Sequence, residues 1–179
     1  MTGFEPFGRY RINSSWEAVR LAAARLGPGV VVARLPVDRR RAAAELHRLL
    51  ELHNPHACLL TGLAGTRLVR VESVARRPRA LAGPDDAVWL RGQWPVAELA
   101  LPLRRRKLPV KISLNAGKYV CDSTYWALLK FRQRRGWPAK ASFLHVPPLS
   151  RRFTARVLGE AVADVARRYL NSRDWETGR

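Results

Sequence analysis

Hydrophobic residues recur along the chain with two periods, one typical of strands and one typical of helices. The predicted strands cover residues 30–35, 57–61, 67–75, 110–114 and 142–146, and the predicted helices cover 15–26, 39–53, 95–103, the stretch after Cys121, and 153–170. Because the two kinds of element alternate, the pattern predicts an α/β fold. We expect a three-layer α/β/α sandwich with a mainly parallel central sheet. No repeat or linker interrupts the pattern, so we expect a single domain over residues 1–179.

The stretch Ser113–Asp122 joins a predicted strand to a predicted helix. Before it, Val110, Ile112 and Leu114 alternate with polar residues, as in a half-buried strand. Cys121 then falls near the N-terminus of the helix, where backbone N–H groups and the helix dipole lower the pKa of a thiol. Cys121 is therefore a candidate nucleophile. The local pattern alone favours the alternative, in which this cysteine is a small buried core residue.

Three further positions on the predicted strands could contribute to a catalytic site. Gly62–Gly65 is predicted as a turn after a buried strand, and His145 stands near the end of the last strand. Ligands of open α/β sheets bind at such carboxyl ends. A thiol nucleophile needs a base and a group that orients the base, and His145 and Glu72 could fill these roles beside Cys121. Glu72 lies among apolar residues, and the pattern favours a solvated carboxylate over one held near a partner.

The N-terminal region contains a loop and a helix start. Residues 2–8 hold two glycines, a proline and the pair Phe4 and Phe7, which either form a binding surface or pack onto the core. Asn13 or Ser14 is predicted to cap the helix that follows.

Composition limits the class of protein. The chain is 47% hydrophobic, yet no apolar run is long enough for a membrane helix, and its start lacks the features of a secretory signal. Cys58 and Cys121 do not form a disulfide framework, and Cys58 is most simply a core residue within its strand. We therefore expect a cytoplasmic protein that contacts no membrane. No metal-ligand spacing is present, so we expect neither a metal nor a cofactor.

The net charge of +19 raises one alternative function, since the chain contains 28 Arg and five Lys. A basic protein of this kind could bind nucleic acid. The basic clusters are spread over the whole chain, however, and no nucleic-acid-binding motif accompanies them. Specific nucleic-acid binding is therefore the less favoured hypothesis.

Four blocks resemble one known family. They are Thr2–Gly8 (TGFEPFG), Asn13–Val19 (NSSWEAV), Ala116–Cys121 (AGKYVC) and Phe143–Pro147 (FLHVP). Together they are similar to the pyroglutamyl peptidase I family, the pyrrolidone-carboxylate peptidases, and the similarity covers nearly the whole chain in order. The resemblance implies a cysteine peptidase that releases an N-terminal pyroglutamyl residue from peptides through a thioester.

The resemblance also implies roles for individual residues. Cys121 would be the nucleophile, His145 the general base and then the acid, and Glu72 the orienting carboxylate. The residues implied to bind the substrate are Phe4, Phe7, Asn13, Leu63, Tyr119 and Val120. The partners would be peptides that begin with pyroglutamate, and the oligomeric state stays open, a homo-oligomer included.

The chain departs from the family pattern in ways that define an alternative. Members have a hydrophobic first strand before the Thr2–Gly8 block, so the first strand is expected to be truncated here. The segment after Glu72 is also shortened, and Arg76, Arg77 and Arg79 are candidates for an arginine that stabilises the oxyanion. The alternative is a catalytically impaired or inactive homologue.

Overall fold

The structure is a computed structural model that describes residues 1–78, 81, 83, 86–92 and 94–171. Its strands are β1 (Thr2–Phe4), β2 (Ala33–Leu35), β3 (Ala57–Leu63), β4 (Val69–Glu72), β5 (Val74–Arg76), β6 (Trp89–Arg91), β7 (Val110–Ser113) and β8 (Lys140–Val146). Its helices are α1 (Ser14–Leu26), α2 (Arg39–His53), α3 (Val96–Arg105), α4 (Val120–Arg135) and α5 (Ala155–Asn171). None of the helices in these described ranges is both long enough and apolar enough to cross a bilayer.

The central sheet confirms the predicted fold class. Six strands run in the order β2-β1-β3-β8-β4-β7, and all neighbours are parallel except β4 and β8. Helices α1, α3 and α5 cover one face, while α2 and α4 cover the other. A separate antiparallel pair, β5 and β6, packs against α4.

The two faces of β8 enter different cores, because successive side chains of a strand point to opposite faces. Leu144 and Val146 join the core beneath α1, α3 and α5. Ala141 and Phe143 join the core beneath α2 and α4. His145 has the same parity as Phe143, so its side chain lies on the α4 side of the sheet.

The first strand is short, yet it has a central place in the sheet. β1 has only three residues, all buried, and it lies between β2 and β3. Asn13 is the residue that caps α1, since its side chain accepts a hydrogen bond from the Ser15 N–H at 3.0 Å.

Several predicted boundaries were wrong. β3 continues through Gly62 and Leu63, so the predicted turn begins only at Ala64. The predicted strand over 67–75 is broken at Ser73, whose N–H donates to the Ser113 carbonyl, and its second half joins the separate hairpin. The hairpin also includes residues 89–91, which lie in a segment where the hydrophobic pattern predicts neither a helix nor a strand. β2 is shorter than predicted because only residues 33–35 pair with β1.

The predicted alternation in β7 holds only at its start, where Val110 packs against the core and Lys111 is exposed. Ile112 and Leu114 are exposed, whereas Ser113 is buried. β7 is the edge strand of the sheet, so its apolar side chains are only partly covered.

Candidate active site

Strand register brings four side chains to one face of the sheet. Arg70 of β4 lies directly opposite His145 of β8, and Glu72 lies opposite Phe143. Side chains that are directly opposite in an antiparallel pair share a face. On the other side of β8, Gly62 of β3 is the register partner of His145. The site is therefore built where β3, β8 and β4 run side by side.

Glu72 holds the imidazole of His145. Its Oε1 atom lies 2.8 Å from Nδ1 of His145, and the two residues are 1% and 3% exposed. A carboxylate accepts hydrogen bonds, so Nδ1 carries the proton and Nε2 is left as the basic nitrogen. The expectation of a solvated Glu72 was wrong, because β4 lies between β8 and β7 and the side chain enters the interior.

Arg70 is a site residue that the sequence analysis missed. Its Nε atom lies 3.1 Å from the same Oε1 of Glu72, and its Nη2 lies 3.2 Å from Nδ1 of His145. Since Nδ1 of His145 already donates its proton to Glu72, the 3.2 Å contact between Nη2 of Arg70 and Nδ1 joins two donors and is not a hydrogen bond. The signal for Arg70 was its position two residues before Glu72 on one strand, which places both side chains on the same face.

Cys121 is the second residue of α4, as the predicted position at a helix N-terminus requires. A Cβ atom on Gly62 would stand 2.8 Å from Sγ of Cys121 and 2.9 Å from the Phe143 ring. The sulfur therefore lies over Gly62, on the sheet face that also carries His145. Only glycine at position 62 leaves room for this close approach.

Burial sets the protonation of the thiol and the imidazole. It raises the pKa of Cys121 to about 12, and the charge of Glu72 adds to the rise while that of Arg70 opposes it. The prediction of a lowered thiol pKa was wrong, because loss of hydration outweighs the helix N-terminus. Burial also lowers the pKa of His145, although the hydrogen bond that His145 donates to Glu72 partly offsets this effect. Both shifts favour a thiol and a neutral imidazole over a thiolate–imidazolium pair in the resting site.

A cavity of about 700 Å³ opens beside Cys121 and His145, and Arg70 also lines it. We call it the catalytic cavity. Its lining includes every residue predicted to bind the substrate: Phe4, Phe7, Asn13, Leu63, Tyr119 and Val120. Phe4 and Leu63 form its buried floor, whereas Phe7 and Tyr119 are exposed at its rim.

The side chain of Asn13 is engaged in holding the loop that carries Phe4 and Phe7. Its Nδ2 donates to the Glu5 carbonyl at 2.8 Å, and its Oδ1 accepts from Ser15. Asn13 thus fixes the loop that forms one wall of the catalytic cavity.

Within the part of the chain that the structure describes, none of the three arginines predicted as candidates to stabilise the oxyanion is seen in the catalytic cavity. The Arg76 guanidinium stacks 4.4 Å from the Trp89 ring, and Arg77 donates to the Asp86 carbonyl at 2.7 Å. Neither is among the described residues that line the catalytic cavity. Arg79 lies outside the described residues.

Cys58 is buried in the core, as predicted, and burial raises its pKa to about 11. Within the described ranges, the histidine, cysteine and acidic side chains form no group of three or more that could hold a metal ion.

A thiol, an imidazole and a carboxylate, here gathered near the carboxyl ends of β3 and β8, are the groups with which cysteine-type hydrolases act. Comparison with known proteins gives the same class. A family model described as pyroglutamyl peptidase matches residues 1–161. The pyrrolidone-carboxylate peptidase of Thermococcus onnurineus is 36% identical over 163 residues, which cover 82% of this chain and 82% of that protein.

Other relatives extend the match along the chain. The pyrrolidone-carboxylate peptidase of Gloeobacter violaceus is 34% identical, with 93% of this chain and 88% of that protein covered. The solved structure of pyrrolidone carboxyl peptidase from Thermococcus litoralis has a TM-score of 0.80 and 25% identity, covering 98% of this chain and 94% of that chain. The chain belongs to the pyroglutamyl peptidase family.

Proposed function

We propose that this protein is a cysteine peptidase that releases an N-terminal pyroglutamyl residue from peptides. The observation that carries the proposal is that three groups lie on one face of the sheet. Glu72 accepts a hydrogen bond from His145, and the Cys121 sulfur packs over Gly62, the register partner of His145. The membership in the pyroglutamyl peptidase family supports the choice of substrate.

The first step is the attack of the Cys121 sulfur on the pyroglutamyl carbonyl carbon. Because both groups are neutral at rest, the thiol proton passes to Nε2 of His145 as the S–C bond forms. Glu72 then faces an imidazolium and stabilises its charge. Tyr119 caps α4 without a side-chain hydrogen bond, so its side chain does not occupy the first N–H groups of the helix, and we assign these groups to the developing oxyanion.

Collapse of the tetrahedral intermediate breaks the C–N bond. His145 gives its proton to the leaving amine, and the pyroglutamyl group stays on Cys121 as a thioester. Water then attacks the thioester carbonyl while His145 takes a proton from it. Release of pyroglutamate restores the thiol and the neutral imidazole.

The catalytic cavity suits an uncharged, flat ring. Phe4, Phe7, Leu63 and Val120 give it aromatic and aliphatic walls, and burying a lactam there costs less than burying a charged amino group. Selectivity for pyroglutamate over an unblocked N-terminus follows from this difference.

We assign Arg70 a positioning role. Its ion pair with Glu72 balances the carboxylate charge in a buried site, where an isolated charge would be costly. The guanidinium and the imidazole share Oε1 of Glu72, so Arg70 influences both the orientation of the base and its proton affinity.

The proposal is tested with three chromogenic amides that differ only in the acyl group: pyroglutamyl, prolyl and glutamyl. We expect the purified chain to cleave only the pyroglutamyl amide, because the prolyl ring lacks the lactam carbonyl and the glutamyl group is charged. Circular dichroism verifies that the chain is folded. A folded chain that cleaves none of the three, or that prefers the prolyl amide, would contradict the proposal and favour an inactive homologue.

A further inference from the structure

A second cavity, of about 690 Å³, adjoins the catalytic cavity, and the two share Tyr10 and Gly65 in their walls. Three loops form it, and they follow β1, β3 and β8. β3 and β8 also carry Gly62 and His145 of the proposed active site. The second cavity is therefore placed to contact a substrate that extends beyond the catalytic cavity.

The lining of this second cavity carries positive charge without a matching negative charge. Its charged residues are Arg9, Arg67, Arg151 and Arg152, and all four are exposed. Among the residues that the structure describes, no carboxylate lines the cavity, and none forms an ion pair with these four arginines. We call this space the basic cavity.

Arginines on another part of the surface behave differently. Arg106 pairs with Glu160 and Asp164, and Arg168 pairs with Glu98. In those places the positive charge is balanced within the chain. In the basic cavity it is available to a ligand.

Hydrogen-bonded turns hold these arginines in place. Ser150 and Phe153 exchange two hydrogen bonds, which close a turn around Arg151 and Arg152 while Phe153 is buried in the core. The N–H of Thr66, beside Arg67, donates to the Ala64 carbonyl at 2.7 Å.

The turn that presents Arg9 is closed in the same way. The N–H of Tyr10 donates to the Phe7 carbonyl at 3.0 Å, and the Arg9 guanidinium lies against the Tyr10 ring. Hydrogen-bonded turns thus fix the backbone at all four arginines. This lowers the conformational entropy that would be lost when an anion binds to them.

The geometry of the reaction directs the substrate towards this space. The leaving amine receives its proton from His145, so the departing peptide lies on the imidazole side of the scissile bond. Pro147, two residues after His145, already lines the basic cavity. The proposed function assigns the pyroglutamyl ring to the opposite side, among Phe4 and Val120, which line the catalytic cavity.

We infer that the basic cavity binds acidic side chains of the peptide that follows pyroglutamate, so that the enzyme prefers substrates with Asp or Glu downstream. This inference rests on the proposed function, because it extends the same substrate past the scissile bond. Guanidinium groups bind carboxylates with paired hydrogen bonds, and a cluster of like charges attracts an oppositely charged ligand over a Debye length.

The test compares two isosteric peptides, pyroglutamyl-alanyl-aspartyl-aspartyl amide and its asparaginyl counterpart. For the wild type we expect kcat/KM to be on the order of tenfold higher for the acidic peptide at low salt, and the ratio to fall towards one as salt is raised. In R151Q/R152Q the ratio should fall several-fold. The matched control, R104Q/R105Q, removes two exposed arginines from the end of α3 and should keep the wild-type ratio.

The outcomes separate this inference from the proposed function. If neither peptide is cleaved, the proposed function fails. If both are cleaved at equal rates, or if both double variants lower the ratio equally, the inference is overturned while the proposed function stands. An equal rate for the two peptides together with Arg151- and Arg152-dependent binding of a duplex DNA oligonucleotide would assign the basic cavity to nucleic acid and also overturn the inference.

Discussion

The Cβ atom that Gly62 lacks would stand 2.8 Å from the sulfur of Cys121, closer than such atoms approach in folded proteins. The same atom would lie 2.9 Å from the ring of Phe143, which is fully buried. In G62A we therefore expect the thiol to be displaced and kcat to fall on the order of 10²-fold.

G83A is the matched control, since a Cβ atom there would meet nothing nearer than a carboxylate oxygen of Asp86 at 3.9 Å. It should keep the wild-type rate. Steady-state kinetics on the chromogenic amide measure both variants, and a G62A enzyme as active as G83A would contradict the close approach of Cys121 to β3.

The second prediction concerns the carboxylate that holds the base. E72Q keeps the shape of the side chain but loses its charge, so the imidazolium formed during attack is no longer stabilised. We expect kcat/KM to fall by about 10²- to 10⁴-fold. E98Q removes a carboxylate that pairs with Arg168 at the surface, and it should have little effect. A loss in E72Q no larger than that in E98Q would remove Glu72 from the mechanism.

The third prediction concerns the acid limb of the pH profile of kcat/KM. Burial lowers the pKa of His145 below its ordinary value of 6.5, and only the neutral imidazole can act as a base, so activity should persist below about pH 6.5 and fall at lower pH. The charge of Arg70 contributes to this lowering. Its removal in R70Q should therefore move the acid limb to higher pH, whereas R70K should leave it in place. A limb that stays fixed or moves down in R70Q would exclude an effect of Arg70 on the base.

The fourth prediction concerns the ionisation of the two thiols. Burial raises the pKa of Cys121 to about 12 and that of Cys58 to about 11. The ultraviolet absorbance of the folded chain should then show no thiolate up to about pH 9. A thiolate signal at neutral pH that disappears in C121A would instead indicate a preformed thiolate–imidazolium pair.

The local hydrophobic pattern predicted an element correctly where residues within that element and at its ends determine its bounds. α2 was predicted with the bounds that the structure shows, because Asp38 caps its start and Asn54 ends it in a left-handed conformation. The positions of Cys121 at a helix N-terminus and of His145 near a strand end were also predicted locally, but β7 runs antiparallel to β8, so a shared carboxyl edge of their two strands does not explain how the residues meet.

Long-range contacts explain what the pattern missed. Gly62 was predicted to begin a turn, although it is a strand residue whose missing side chain admits the sulfur of Cys121. The burial of Glu72 depends on the strands on either side of it, and Arg70 becomes a site residue only when β4 pairs with β8. The thiol pKa was predicted with the wrong sign because the sequence shows the helix N-terminus but not the loss of water around the sulfur.

The role of Cys121 as the nucleophile is tested most directly by the rate of pyroglutamyl amide hydrolysis in two single cysteine variants. C121A should lose at least about 10³-fold in kcat, because Cys121 lines the catalytic cavity and the second thiol, Cys58, does not. C58A removes the buried core thiol and should keep kcat within a fewfold of the wild type. A folded C121A that still cleaves the amide at a rate close to that of C58A would contradict the proposed mechanism.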